Sequence, residues 1–364
     1  MRVIKWLVTA SILLFLMLSP GWLVPNLAHN VYLDFWTKPV PSWHGRIEIW
    51  HIAEFRTYQG SVTDFLQQRA DVYCKRHPGV HIDVIGLTVK RYNDRITRGA
   101  FADAYSFPSG LIYAEQLQPL EITLPDLADG ISPATIDQKS FAIPYLMSSY
   151  FLVGNTQLLS ANGFVLPENT TEADTAYLQS ALNISSPKAP QLYMPFILAA
   201  RMGLEGQLAT LEQFQKGQTM LAVMDARMLG ETQRASSGNL LVEAIPFTAY
   251  TDQVQYLGLS RGATPQQAAA FSEFIIFLLS ETQQQRLTLL GALPIVKLEN
   301  VPIFSEPLLN ALYAASLFPA MPEPFSYQRH KDALYSEALA ALTGDALAKT
   351  SFQERMKVVE SGIF

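Results

Sequence analysis

The chain has 364 residues, long for a single domain, and 49% of them are hydrophobic against 16% charged, so it folds around a large core, with two lobes or domains as the natural division. Its 32 acidic and 26 basic side chains leave a net charge of -6 with no Lys/Arg cluster, which excludes a partner held through nucleic-acid phosphates. Cys74 is the only cysteine, which excludes an internal disulfide.

Arg2 and Lys5 precede the apolar run Trp6 to Val24, which is long enough to cross a bilayer as a helix. The basic flank predicts a cytoplasmic N-terminus and an exported remainder. The stretch that follows, PNLAHN, lacks a good small-x-small cleavage site, so residues 1–24 read as an uncleaved signal anchor, with a removed signal peptide as the alternative. No cysteine follows the run, so a lipid on an N-terminal cysteine is excluded. Residues 25–45, with Pro39, Pro41 and several aromatics in no clear period, read as a stalk or linker.

The folded part opens with alternating Ile47 and Ile49, a strand. Ser61 then caps a helix whose apolar residues Val62, Phe65, Leu66, Ala70 and Tyr73 recur at helical spacing, and His77-Pro78-Gly79 stops it. Val80, Ile82 and Val84 alternate again, so the opening is strand, helix, strand, the unit that builds a parallel sheet in an α/β fold. Further strands are predicted at Tyr150 to Val153, Thr219 to Met224 and Gln255 to Leu259, with an irregular stretch over Ser160 to Pro190 and a short helix ending at Gly217. Thr264-Pro265-Gln266-Gln267 predicts a capped helix start, and Ser280 with Gln283 a second box just after it. Helical patterns close the chain around Leu308 to Leu317, Lys331 to Leu342 and Ser351 to Val359.

Three stretches, in this order, resemble the extracellular solute-binding proteins of ABC importers, the family that includes the maltose-binding protein. They are IEIWH with its capped helix and PGVHIDVI; FAIPYLMSSYFLVGNTQLL; and YTDQVQYLGLS followed by FSEFIIFLLSETQQQRL and GALPIV. The segment between Leu159 and Leu208 is shorter than is usual in that family and lacks its tryptophan-containing helix start. The resemblance implies a type II periplasmic-binding-protein-like fold, two lobes of mixed sheet flanked by helices and joined by a hinge. It places residues 46–149 with 251–296 in the first lobe and residues 150–250 with 297–364 in the second. Such lobes close on a ligand by a population shift.

Ligand-binding candidates are sought in loops at the ends of strands. Trp50, Glu54 and Tyr58 stand in the loop after the first strand, where packing of the aromatics is the competing reading. Asp103 resembles the family's Pro-Asp turn after the third strand, with Ala102 in place of the proline, and a capping role is the alternative. Tyr145 and Tyr150 flank the first crossing between lobes, Asp225 and Arg227 follow the strand ending at Met224, and Tyr256 flanks the return crossing. Burial in the hinge competes for the tyrosines and a structural ion pair for Asp225 with Arg227.

Gly258-Leu259-Ser260-Arg261-Gly262 matches the G-x-S-x-G elbow of serine hydrolases, but Pro265 sets the following helix too late for its backbone N–H groups to serve Ser260. Pro78-Gly79 between His77 and His81 removes the helical face that a metal pair needs, and neither a P-loop nor G-x-G-x-x-G occurs. No cofactor is expected. The sequence therefore points to a monomeric, membrane-tethered, extracytoplasmic receptor that captures a small polar solute, a carbohydrate foremost, and delivers it to an ABC permease. A membrane-anchored interaction or sensory module is the alternative, and a hydrolase built on Ser260 a distant third.

Overall fold

The computed structural model describes residues 43–54, 56–166, 183–186, 207–235, 241–246, 251–300, 302–304, 306–314 and 321–361. The apolar run Trp6 to Val24, residues 25–42 of the stalk and most of the irregular stretch after Ser160 lie outside the described residues; the last stalk residue, Gly45, already belongs to the first strand. Among the described residues no helix is long and apolar enough to cross a membrane.

The first lobe is built on a seven-stranded sheet. Strands β1 (Gly45–Ala53), β2 (Val80–Thr88) and β3 (Ala104–Pro108) lie parallel, with β1 in the middle. The sheet continues through β6 (Lys139–Met147) to the short β5 (Ala134–Ile136), while β4 (Leu117–Gln118) sits off this path. The strand between β3 and β6 comes from far down the chain: β12 (Val254–Ser260) runs antiparallel to both.

Helix α1 (Val62–Arg76) connects β1 to β2, and α2 (Val89–Thr97) precedes β3. Alternation puts Ile47, Ile49 and His51 on one face of β1 and Trp50 on the other. On the α2 face, Trp50 meets Tyr105 edge-on and Arg95 stacks on its indole at 4.9 Å. On the opposite face α1 packs beside α6 (Pro265–Leu278), where Tyr73 donates to the Ala270 carbonyl and lies against Phe274. Full burial of each such aliphatic or aromatic side chain contributes roughly 1.5–3 kcal/mol.

The start signals act as read. Ser61 accepts from Asp64 N, and Thr264 and Gln267 form a reciprocal box with Pro265 at the first helical position. The second box does not form: the Ser280 hydroxyl turns back to donate to Phe277 O at 2.7 Å, because the tight link between α6 and α7 (Glu281–Gln285) offers it that carbonyl first. Buried Gln283 and Gln284 serve tertiary contacts instead: Gln283 accepts from Arg69, and Gln284 donates to Tyr145 O and accepts from Ile295 N.

The second lobe carries a five-stranded sheet, ordered β11 (Val242–Pro246), β7 (Tyr150–Asn155), β10 (Leu221–Asp225), β8 (Asn183–Ser186) and β9 (Gln207–Thr210). Asn155 ends β7 and caps α3 (Thr156–Ala161) by accepting from Gln157 N and Leu158 N. The short α4 (Leu211–Gln215) follows β9, and α5 (Ala226–Ala235) follows β10. One sheet face, with Tyr150, Leu152, Leu221 and Val223, is covered by α9 (Pro324–Leu342) and α10 (Ala346–Ser361). Arg355 of α10 clamps Glu337 of α9 with two bonds of 2.7 Å. The other face buries Phe151, Val153, Ala222 and Met224 in one cluster with Met228 and Leu229 of α5 and Leu309 of α8 (Pro307–Ala314).

The chain passes between the lobes at Ser148–Ser149, before Val254, and again after Val296. The crossings are stitched together. Ser148 N donates to Gln253 O, the Thr251 hydroxyl donates to Ser148 O, and Met147 and Leu293 exchange both backbone bonds.

Candidate functional site

In a parallel sheet the loops after the strands share one end, and here that end faces the second lobe. The loop after β1 carries Glu54, Arg56 and Tyr58. Tyr58 bridges the lobes: its ring lies so close to Gly230 of α5 that a Cβ there would sit 2.7 Å from it. Its hydroxyl is 3.5 Å from Gln233, and Arg234 stands 6.0 Å over the ring. Behind it Gly291, at φ +63°, comes equally close. Two residues that lack side chains therefore make room for one tyrosine. Burial and the neighbouring Glu306 raise the pKa of its phenol.

Across from this loop, Asp225 ends β10 and caps α5, accepting from Met228 N at 2.7 Å. Burial pushes its carboxyl up to about 6 despite that bond and the charge of Arg56. Arg227, the second residue of the helix, pairs with Glu231 at 2.8 Å and stays partly open to solvent.

At the crossings, Tyr150 is fully buried and donates to Asp252 Oδ1 at 2.8 Å, while Tyr327 of α9 donates to Asp252 Oδ2 at 3.0 Å. Glu54 approaches the same place from β1. Burial and the nearby Asp252 raise its carboxyl to about 7, with Lys331 of α9 opposing. Gly110, at φ +76° in the loop after β3, allows α9 to come in: a Cβ there would stand 2.6 Å from the Tyr327 ring and 3.5 Å from the Lys331 side chain.

The other candidates lie in the interior of the first lobe. Trp50 is 2% exposed and donates through its indole N–H to Glu48 at 2.7 Å. Tyr145 belongs to a buried neutral network in which Ser106 Oγ lies 2.9 Å from both the Tyr145 hydroxyl and His51 Nδ1, with Gln255 donating to Ser106. Burial lowers His51 to about 4, so the imidazole stays uncharged at neutral pH. Tyr256 stacks on Phe107, with centroids 6.0 Å apart. Asp103 corrects its sequence placement. It precedes β3 instead of following it, and accepts from Glu48 N and from the Gln267 amide. The misplacement arose because β3 is buried at every position and shows no alternation to mark its start.

Ser260 is the last residue of β12, and its N–H donates to Asp103 O; the next helix starts at Pro265. His330 lies on α9, against Arg355.

Three groups at the lobe junction escaped the sequence reading, namely Asp252, Gln253 and Lys331. The first two stand inside the YTDQVQYLGLS stretch, where an acid and an amide at a crossing were a usable signal. Lys331 had none, since only the tertiary fold brings α9 to β1.

No protein-family model matches this chain, and no curated protein sequence does. Solved structures do. The cyclic α-maltosyl-1,6-maltose binding protein of Arthrobacter globiformis is 16% identical, with a TM-score of 0.62 over 87% of this chain and 98% of its own. The sugar-binding protein MalE of Xanthomonas citri is 13% identical, with a TM-score of 0.60 over 87% and 97%. The galacto-N-biose/lacto-N-biose I-binding protein of the ABC transporter of Bifidobacterium longum, in complex with lacto-N-biose, is 11% identical, with a TM-score of 0.58 over 86% and 96%. The likeness extends over both lobes and establishes the two-lobed periplasmic-binding fold.

Proposed function

We propose that the chain is an extracytoplasmic receptor that captures a small polar solute, a carbohydrate foremost, between its lobes and hands it to an ABC permease. The observation that carries this reading is the facing of two polar segments across the lobe junction: Glu54, Arg56 and Tyr58 after β1, and Asp225 to Arg234 at β10 and α5. Glu54, Tyr58, Tyr150, Asp225 and Arg227 are the proposed contacts. Of these, Glu54 and Arg227 keep polar atoms within reach of a ligand, while Tyr58 closes the lobes over it. Two of the three solved structures are named for a saccharide they bind and the third as a sugar-binding protein, and the shared fold supports the same class of ligand here.

In this reading the protein binds without catalysis and without a cofactor. Residues 1–24 tether it to the outer face of the cytoplasmic membrane, and residues 46–149 with 251–296 form the lobe opposed to residues 150–250 with 297–364.

The test is a melting screen of the full-length chain, kept in a detergent without a sugar headgroup, against oligosaccharides, polyols, amino acids and peptides. A ligand at about 100 times its Kd adds roughly 2.7 kcal/mol to stability. An oligosaccharide hit that weakens at least tenfold in Asp225→Ala supports the receptor. A cooperative melt that no solute moves overturns it.

A further inference from the structure

A recess of about 400 Å³ opens on the first lobe between β4, the β5–β6 hairpin and the turn after β12. That volume lies within the range of small-ligand sites. Its walls carry Glu115, Leu117, Gln118, Ile136, Phe141 and Arg261.

The sequence builds these walls locally. β4 pairs with the end of β12, Leu117 opposite Ser260 and Gln118 opposite Leu259. Gly258 gives Leu117 its place, since a Cβ there would stand 3.0 Å from the leucine Cδ1 and 3.1 Å from Phe141 O. The turn after β12 is tied to the same segment: Arg261 N donates to Gln116 O at 3.1 Å, and the Gln118 amide to Ala263 O at 3.4 Å. On the other wall, Asp137 and Gln138 form a two-residue turn with φ of +48° and +64°, the tight link that holds β5 against β6 beside Ile136. Gly258 and Arg261 of the G-x-S-x-G stretch, which make no hydrolase elbow, thus both serve this recess.

Opposite charges stand on its walls without meeting. The Arg261 side chain is exposed and makes no hydrogen bond or ion pair among the described residues. Glu115 pairs instead with Arg329 of α9, in the second lobe, at 3.4 Å. Both partners of that pair are exposed, so it is weak and open to exchange. Beside the two charges, Leu117, Ile136 and Phe141 offer apolar surface.

We propose that this recess binds an apolar α-amino acid as its zwitterion. The ligand's carboxylate lies on the Arg261 guanidinium, which can hold it with two parallel bonds. Its ammonium lies on the Glu115 carboxylate, and its side chain covers Leu117, Ile136 and Phe141. The site is separate from the contacts proposed between the lobes and does not rest on the receptor reading. Because the ammonium and Arg329 compete for Glu115, occupancy releases α9 from this tie to the first lobe, and the coupling is reciprocal.

The experiment is calorimetric titration of the full-length chain in detergent at pH 7. The probes are L-leucine and L-phenylalanine, with N-acetyl-L-leucine and L-leucinamide as analogues that lack one charge each. The expected result is saturable binding of the amino acids, and at least tenfold weaker binding of both analogues. Arg261→Gln and Glu115→Gln should each weaken L-leucine at least tenfold. Arg329→Gln removes the competing cation and should tighten L-leucine about twofold or more, a change opposite in sign to any general loss of folding. Absence of binding by either amino acid overturns the site, as does binding that Arg261→Gln leaves unchanged. Binding that Asp225→Ala abolishes and Arg261→Gln spares places the amino acid between the lobes, which overturns this site and leaves a receptor with a different ligand. If the amino acids bind as expected while no saccharide does, the site stands and the carbohydrate reading fails alone.

Discussion

Asp103 and Glu54 are acids of the same sheet, yet they differ in what surrounds them. Asp103, ahead of β3, is held by a backbone N–H of β1 and the amide of Gln267, so its charge is used in joining two strands to α6. Glu54, past the end of β1, has no such donors, and burial pushes its carboxyl up to about 7. A carboxylate satisfied by its own fold has little left for a ligand. One that the fold desolvates without satisfying is stabilised by whatever enters beside it.

This contrast can be broken experimentally, and the largest effect is expected at Asp103. Asp103→Ala leaves Glu48 N and Gln267 without their acceptor, and should cost about 2–3 kcal/mol in a urea melt. A loss of ligand affinity with unchanged stability would reverse the roles given to the two acids.

Glu54→Gln should act with the opposite sign. Its folded pKa is raised from 4.5 to about 7, so the favourable contribution is fully present below pH 4.5 and is lost as pH rises through 7. Over that window the native protein should lose about 1–3 kcal/mol through this group. Asp225, raised from 3.8 to about 6, adds to the decline at its lower end. Thermal melts of Glu54→Gln from pH 4 to 8 should be flatter and end higher than those of the parent; identical slopes would show that Glu54 is not desolvated.

The helices were legible in the sequence where their signals were local. Ser61 and Thr264 each cap within three residues of themselves, and their caps form as the sequence predicts. Ser280 shows the limit of that logic, because a competing carbonyl one turn back took its hydroxyl. The site was less legible. Glu54, Asp252 and Lys331 come from β1, a crossing and α9, and nothing in the spacing of 54, 252 and 331 announces that they meet. The aromatic candidates drew attention as large side chains, but Trp50, Tyr145 and Tyr256 show that size at a strand end serves packing as readily as recognition.

Tyr58 sharpens the comparison from the ligand's side. Tyr58→Ala removes the ring that rests on Gly230 and should shift the lobes toward an open arrangement by about 1 kcal/mol, weakening ligand about fivefold. Small-angle scattering of the free chain would report a larger radius; an unchanged radius and affinity would mean that closure rests elsewhere. The smallest effect is expected at Arg227, whose pairing with Glu231 is a half-exposed i,i+4 contact. Arg227→Ala should change stability by no more than about 0.5 kcal/mol in the same melts.

The antiparallel β12 has a consequence for how the chain is made. It alone joins β2-β1-β3 to β6-β5, so a ribosome that has not yet delivered Val254–Ser260 holds two half-sheets with raw edges at β3 and β6. Those edges face each other across a slot that a strand must later enter, after the second lobe's sheet has been synthesised. Unpaired strand edges of this kind recruit other chains. The early chain is thus most exposed to aggregation between the synthesis of β6 and that of β12, and whatever keeps it unfolded until β12 is available lessens that exposure.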